Sequence, residues 1–247
     1  MNVSLYQAAA AMNANARWQD VIAQNLAVSS IPGARRQQMS FSAVEAALAP
    51  SASTWNSSRY VMPTSSTSTS LQQGEFRPTN LPTDVAIQGP GYLQVQLPNG
   101  SQAYTRDGEL QLSAQGQLVT KQGYTVMGDS GPIQMDPSKG GFSVAATGEV
   151  SQGGATIGRI KLLEFNQPGQ LTPIGGGCYV ANNPQLQSTP AQSSSLRQGF
   201  LEMANINPTT EMASLISATR SFEANQKVMQ IQDDRLGRTI SDLGNPT

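Results

Sequence analysis

A chain of 247 residues with 38% hydrophobic residues can bury a large core, but its 13% charged residues are about half the usual share, so Ser, Thr, Asn and Gln supply the polar surface. A formal net charge of −1 gives no electrostatic pull toward nucleic acid or an anionic membrane. The absence of His and the single Cys178 remove the commonest general base and metal ligand, the usual activator of a nucleophilic Ser or Cys, an internal disulfide and any Cys-based metal cage.

The first 27 residues read as a helix. Leu5, Ala9, Met12, Ala16, Gln19, Ala23 and Leu26 alternate spacings of four and three, and six of the seven are apolar, which makes a coiled-coil seam with Ala allowing close approach. Ile31-Pro32-Gly33 ends the helix, because Pro disfavours helical backbone in the residue before it and Gly favours a turn. This N-terminus lacks the basic and apolar regions of a secretory signal, and no run of about 18 apolar residues occurs later, so the expectation is a cytoplasmic protein or one carried out by a dedicated machine.

Ser51–Ser70 holds twelve Ser or Thr in twenty residues, too polar to pack alone; it reads as a disordered linker or an extended arm, and Tyr60, Val61 and Met62 favour the arm. From Val85 the period becomes strand-like. Gly91, Gly100, Gly108, Gly116, Gly123 and Gly131 separate short segments such as Tyr92–Leu97, Gln102–Arg106 and Gln117–Thr120, and Pro98-Asn99-Gly100 and Asp107-Gly108 are turn chemistry. An antiparallel β domain is expected to continue through Gly158–Phe165 to about Gln198.

Asn207-Pro208 starts a second helix, with Asn as cap and Pro at the first helical position. Met212, Leu215, Thr219, Phe222, Gln226, Met229, Asp233, Leu236, Ile240 and Leu243 alternate three and four, seven of the ten being apolar. Ile216, Val228 and Ile231 widen the stripe beyond what one partner helix covers.

The expected architecture is α+β: terminal helices pairing as a coiled-coil-like layer around an inserted antiparallel β-rich domain. The segments are a helix in 1–33, an arm or linker in 34–80, the β domain in 81–200 and a helix in 201–247. The candidate assembly residues are Leu5, Ala9, Met12, Ala16, Ala23, Leu26, Met212, Leu215, Phe222, Met229, Leu236, Ile240 and Leu243.

Several strings resemble the bacterial flagellar rod and hook family of axial proteins. They are Gln24-Asn25-Leu26-Ala27 with Pro32-Gly33, Asp84-Val85-Ala86-Ile87, Gly91-Tyr92-Leu93, Tyr104-Thr105-Arg106-Asp107-Gly108, Gln198-Gly199-Phe200-Leu201-Glu202, Asn205-Ile206-Asn207-Pro208 and Arg220–Lys227. Val126–Ile133 and the length resemble the proximal-rod branch of the F type, while the C-terminal strings suit the distal rod equally. Val28, Ile31 and Ala34 depart from the family's usual Asn, Thr and aromatic residues. The resemblance implies a structural, non-enzymatic subunit without cofactor, small-molecule substrate or nucleic acid. Such a subunit is exported by the flagellar type III apparatus without a cleaved signal peptide. It assembles with itself and with proximal and distal rod subunits into a helical tube in the basal body, which transmits torque from motor to hook.

Blander readings stand beside this one. The terminal helices can pack as ordinary amphipathic helices on their own β domain. Cys178, after Gly175–Gly177, reads as structural; Asp107 with Glu109, and Asp233 with Asp234, read as solvated charges; Trp18 reads as a second helix contact. A glycan-processing β domain would need two carboxylates across a cleft, which no spacing nominates, and a secreted adhesin would not require heptads at both ends.

Overall fold

In the computed structural model the backbone is described for residues 3–46 and 60–244, and the side-chain surroundings for 6–42, 64–239 and 241. Residues 51–59 of the Ser/Thr-rich stretch, and the side chains of Leu5, Ile240 and Leu243, lie outside the described residues. The content is mixed helix and strand, with a β-rich domain and a C-terminal helix. The chain forms two compact units, one of residues 1–26, 37–68 and 208–247, the other of 27–36 and 69–207.

The first unit contains α1 (Val3–Val28), β1 (Gln37–Ala46), β2 (Tyr60–Thr69) and α2 (Pro208–Gly244). α1 stops where Pro32 and Gly33 require, with the Ile31 amide donating to the Val28 carbonyl at 3.0 Å. α2 begins at Pro208 and passes through Gly237 without a break; its 37 residues span about 55 Å at 1.5 Å per residue. β1 and β2 make a two-stranded sheet, with Ser42 and Thr64 hydroxyls 2.8 Å apart across it. Trp18 meets Phe41 of β1 edge-to-face at 5.7 Å.

In the second unit β3 (Phe76–Pro78) pairs with 200–202 and β4 (Val85–Gln88) with 195–198, so both sides of the β domain close on the segment leading to α2. Next come β5 (Tyr92–Gln96), β6 (Gln102–Thr105), β7 (Leu110–Leu112), β8 (Leu118–Thr120) and β9 (Thr125–Gly128). The largest sheet runs 172–175, 178–180, β6, β5, β9, β8, β7, with antiparallel neighbours. The turns follow the glycines: Gly100 donates to the Leu97 carbonyl at 2.9 Å and Asn99 Oδ1 accepts from the Ser101 amide at 3.0 Å. The β domain continues through Gly158–Phe165 as expected, in two strands, Ala155–Arg159 and Leu162–Phe165, with Ile160 bridging to Gly128 where the chain passes from a three-stranded sheet to the large one.

β5 is covered on both faces. Leu93 and Val95 join Val85, Ile87, Leu118 and Val126 in one apolar cluster, while Tyr92 joins Tyr104, Phe165 and Tyr179 in a second. Each such side chain removed from water stabilises the fold by about 2 kcal/mol before conformational entropy is subtracted.

Gly108 lies against β4. A Cβ there would sit 1.7 Å from the Val85 carbonyl oxygen, in a turn whose own carbonyl accepts from the Val85 amide at 3.0 Å. Gly108→Ala is therefore expected to force β4 away, at a cost of about 1–3 kcal/mol or more, and to lower the melting temperature by roughly 2–10 °C. Thermal unfolding of the full chain followed by circular dichroism measures this; an unchanged Tm would contradict the close approach.

Candidate functional site

Helix surfaces are the first feature with functional content. On α2, Glu211, Ser214, Leu215, Ala218, Ser221, Phe222, Asn225, Met229 and Gln232 are covered or half-covered, a stripe with alternating spacings of three and four. Of the seam expected from sequence, Leu215, Phe222 and Met229 lie on this stripe, whereas Met212 and Leu236 are exposed. Ile216 and Ile231 are also exposed, at 57% and 50%. On α1 the buried positions are Ala8, Ala14, Val21, Ile22 and Asn25, while Ala9, Met12, Ala16 and Leu26 are intermediate and Ala23 is exposed. α2 thus has one covered line and, beside it, apolar positions open to solvent, whereas α1 is covered over most of its surface and between residues 6 and 27 is exposed at Tyr6, Asn13, Arg17, Asp20, Ala23, Gln24 and Ala27.

Where α1 ends, one side chain joins three segments of the first unit. Asn25 Nδ2 donates to the Gln37 carbonyl at 2.9 Å and to Glu211 Oε2 at 3.1 Å, and Asn25 Oδ1 accepts from the Gln37 amide at 2.8 Å. Asn25 and Glu211 are both buried.

The second unit contains a buried charge cluster that no single string announces. Glu202, at the end of strand 200–202, accepts from Arg106 Nε at 3.0 Å and Nη2 at 2.7 Å, pairs with Arg35 Nη1 at 3.0 Å and accepts from the Gly74 amide at 3.0 Å. The three side chains are 0%, 1% and 3% exposed. Arg106 also donates to the carbonyls of Ile87 and Gly91, and Arg35 to that of Gln72. Burial and the facing Arg106 lower the pKa of Arg35, and Glu202 pulls it back up. Burial raises the phenols of Tyr92 and Tyr179 that flank the cluster, the latter to about 12, so both stay neutral. Gly33 reaches the same place: its amide donates to the Glu202 carbonyl at 2.6 Å, its φ is +69°, and a Cβ would lie 2.4 Å from the Arg106 carbonyl oxygen. Asn205 then ties three strands of chain, accepting from the Arg36 amide at 2.6 Å and donating to the Gln72 carbonyl at 2.7 Å, while its own amide donates to the Ala34 carbonyl at 3.3 Å.

The residues read as chemical candidates from sequence fall outside these clusters. Cys178 is buried and its thiol is pushed up to about 11 by desolvation, far from a reactive thiolate. Asp107, expected as a solvated turn charge, is 2% exposed, and burial raises its pKa from 3.8 to about 6 even though its Oδ1 accepts from the Glu109 amide at 3.0 Å. Glu109 forms an exposed pair with Lys121.

Two measurements follow from these environments. Removing the one anion between two buried guanidiniums leaves both uncompensated, so Glu202→Gln is expected to destabilise the chain by about 3–5 kcal/mol, read as a shifted denaturation midpoint; a shift within error would refute the cluster's role. For Asp107, the folded chain binds more protons than the unfolded one between about pH 4 and 6, so stability falls as pH rises through that window. Asp107→Asn keeps an acceptor for Glu109 and should remove that slope, with a gain of at most about 2–3 kcal/mol at pH 7 and little difference at pH 4. Urea unfolding across that range checks the sign.

Of these clusters, Arg106, Glu202, Asn205 and Glu211 lie in segments by which the chain matches protein families. Residues 86–152 match the flagellar hook protein FlgE/F/G D1 domain, and residues 197–242 match the flagellar basal body rod FlgEFG protein C-terminal family. The flagellar basal-body rod protein FlgF of Escherichia coli is 32% identical over 96% of this chain and 97% of its own length. FlgF of Mesorhizobium japonicum is 30% identical over 99% of both chains. FlgG of Buchnera aphidicola subsp. Schizaphis graminum is 36% identical, over 69% of each chain. End-to-end alignment with the FlgF proteins, through both helices and the β-rich domain between them, places this chain in the flagellar basal-body rod protein family, in its F type.

Proposed function

We propose that this chain is a proximal-rod subunit whose terminal helices do the assembling, and that the rod it builds carries torque from motor to hook. The observation that carries the reading is the double surface of the helices. α1 is covered over most of its described surface, and α2 has one covered line and keeps Met212, Ile216, Val228, Ile231 and Leu236 in water. A rod subunit needs both surfaces, one to hold its helices together and one to meet neighbours.

Within the subunit α1 and α2 pair antiparallel. Counting outward from the Asn25–Glu211 hydrogen bond, Trp18 falls opposite Ala218, Ala14 opposite Phe222, and Ala11 opposite Asn225, and all six positions are covered or half-covered. Between subunits, Met212 and Leu236 with their exposed neighbours meet further copies and other rod subunits in a helical array. The arm formed by β1 and β2 adds contacts with neighbours. The flagellar export apparatus delivers the chain, and its contribution is mechanical, with no reaction catalysed.

The reading separates folding from assembly, and so does its test. Met212→Asp and Leu236→Asp alter exposed positions, so each should change the unfolding midpoint of the isolated chain by less than about 0.5 kcal/mol. Each buries an unpaired charge at a subunit contact, costing several kcal/mol there, and should abolish rods and swimming. Soft-agar motility and rod purification are the readouts, with Asp107→Asn as a control that swims. Normal motility in both helix variants would overturn the proposal.

A further inference from the structure

We infer that β2 pairs edge to edge with β2 of a second copy of this chain, making a closed two-fold dimer through the polar arm. β1 and β2 form a sheet of two strands, and two observations fix which backbone groups face out of it. The Ser70 amide donates to the Arg36 carbonyl, and Ser42 lies opposite Thr64. Even-numbered residues therefore point their N–H and C=O groups inward, into the ladder. Gln37 agrees, because its amide and carbonyl are both held by Asn25, outside the ladder. On β2 the outward groups belong to Ser65, Thr67 and Thr69, and no strand lies beside them.

An open edge is a template for another strand, and natural chains guard it with charge, Pro, a bulge or shortness. Such guards occur on other edges of this chain. The outer strand 172–175 of the large sheet carries Pro173 and a register shift. Ala155–Arg159 faces a register shift between Val150 and Ser151, and β7 has three residues. The edge of β1 is occupied at Gln37 by Asn25. β2 has no such guard after Pro63, since residues 64–69 are all Ser or Thr. The missing charge favours one partner in particular. A two-fold axis sets a residue opposite its own copy, so a charged strand repels itself and a neutral one does not. Thr67 then faces Thr67 of the second copy, and Ser65 faces Thr69. Each opposed pair exchanges two backbone hydrogen bonds, and Pro63, which has no N–H to give, stays outside. Two strands are marginal on their own, and the pairing makes four.

A pair of this kind is isologous and closes on itself. In the helical array proposed above, copies meet head to tail. The dimer is therefore a resting form, from which the arm is released as a chain joins the array. The inference stands on the arm alone and survives if α2 makes no subunit contact.

The test uses the full chain with Met212→Asp and Leu236→Asp as parent, which silences the α2 contacts proposed above. Light scattering across a concentration series should show the mass doubling and then levelling at the dimer. Thr67 is exposed, so its replacement leaves the fold of the chain intact. Thr67→Lys and Thr67→Glu should each raise the dimer dissociation constant at least about tenfold at low salt, because like charges then meet on the axis. An equimolar mixture of the two should recover an affinity within about threefold of the parent, since an ammonium now meets a carboxylate. Chains that had failed to fold would not recover. A parent that stays monomeric, species that grow beyond the dimer, substituted chains that dimerise as the parent does, or a mixture without recovery would each overturn the pairing. Rod formation with Met212 and Leu236 intact or replaced decides the helix reading separately.

Discussion

One carboxylate organises the β-rich unit. Glu202 is wholly enclosed and faces two guanidiniums, so the cluster carries a surplus positive charge that the protein interior must disperse. It does so through the carbonyl oxygens of Gln72, Ile87 and Gly91. Arg suits this where Lys would not, because its planar fork engages the carboxylate through two nitrogens and still offers donors to backbone oxygens. The stacking of Arg106 over Tyr92, 5.5 Å from the ring centroid, adds a further contact for the same charge. The net energy of such a group is modest relative to an apolar replacement, since desolvation opposes attraction. Its effect is geometric: the charges are satisfied only when residues 35, 74, 106 and 202 converge.

That convergence determines how the unit is assembled from a discontinuous chain. Residues 27–36 belong to it although the chain leaves at 37 and returns at 69. The returning segment is secured by backbone, with the Ser70 amide on the Arg36 carbonyl, and by side chain, with Asn205 on Gln72. The departing segment is secured by Glu202 and Asn205. The first unit repeats the method on a smaller scale with Asn25, which joins the end of α1, the start of β1 and the start of α2. A carboxamide suits such a junction because it donates and accepts at once without burying a charge.

The helices were legible in the sequence because their spacing is a local signal and their boundaries carry Pro and Gly. Most short strands were legible for the same reason, through glycine punctuation. The phase of the covered lines was only partly legible: Leu215, Phe222 and Met229 lie on one, but their expected companions Met212 and Leu236 do not. Adjacent heptad lines on a helix with apolar residues on several sides look alike until a neighbour covers one. The charge cluster was not legible from residue type or spacing. Arg35, Arg106 and Glu202 are far apart in the chain, and each alone resembles an ordinary surface charge. The available signal was indirect, since Arg106, Glu202 and Asn205 stand in strings that resemble the axial family. Those strings mark where the chain is sewn together.

The two kinds of residue divide the work of a structural subunit. The clusters around Glu202, Asn205 and Asn25 are satisfied inside one chain and specify its geometry before any neighbour arrives. α2 is the opposite case. It continues for many turns beyond Ala218, the last fully buried position described on it, with Val228, Ile231 and Leu236 left in water. Helices gain most of their stability from packing an amphipathic face, and propensity alone makes even favourable sequences marginal. The outer half of α2 therefore takes its stability from whatever finally covers those side chains. In the assembly proposed above, the covering surface is the next subunit. The free energy that orders the helix is then the same free energy that holds the polymer, and the subunit's rigidity along this element becomes a property of the assembled state.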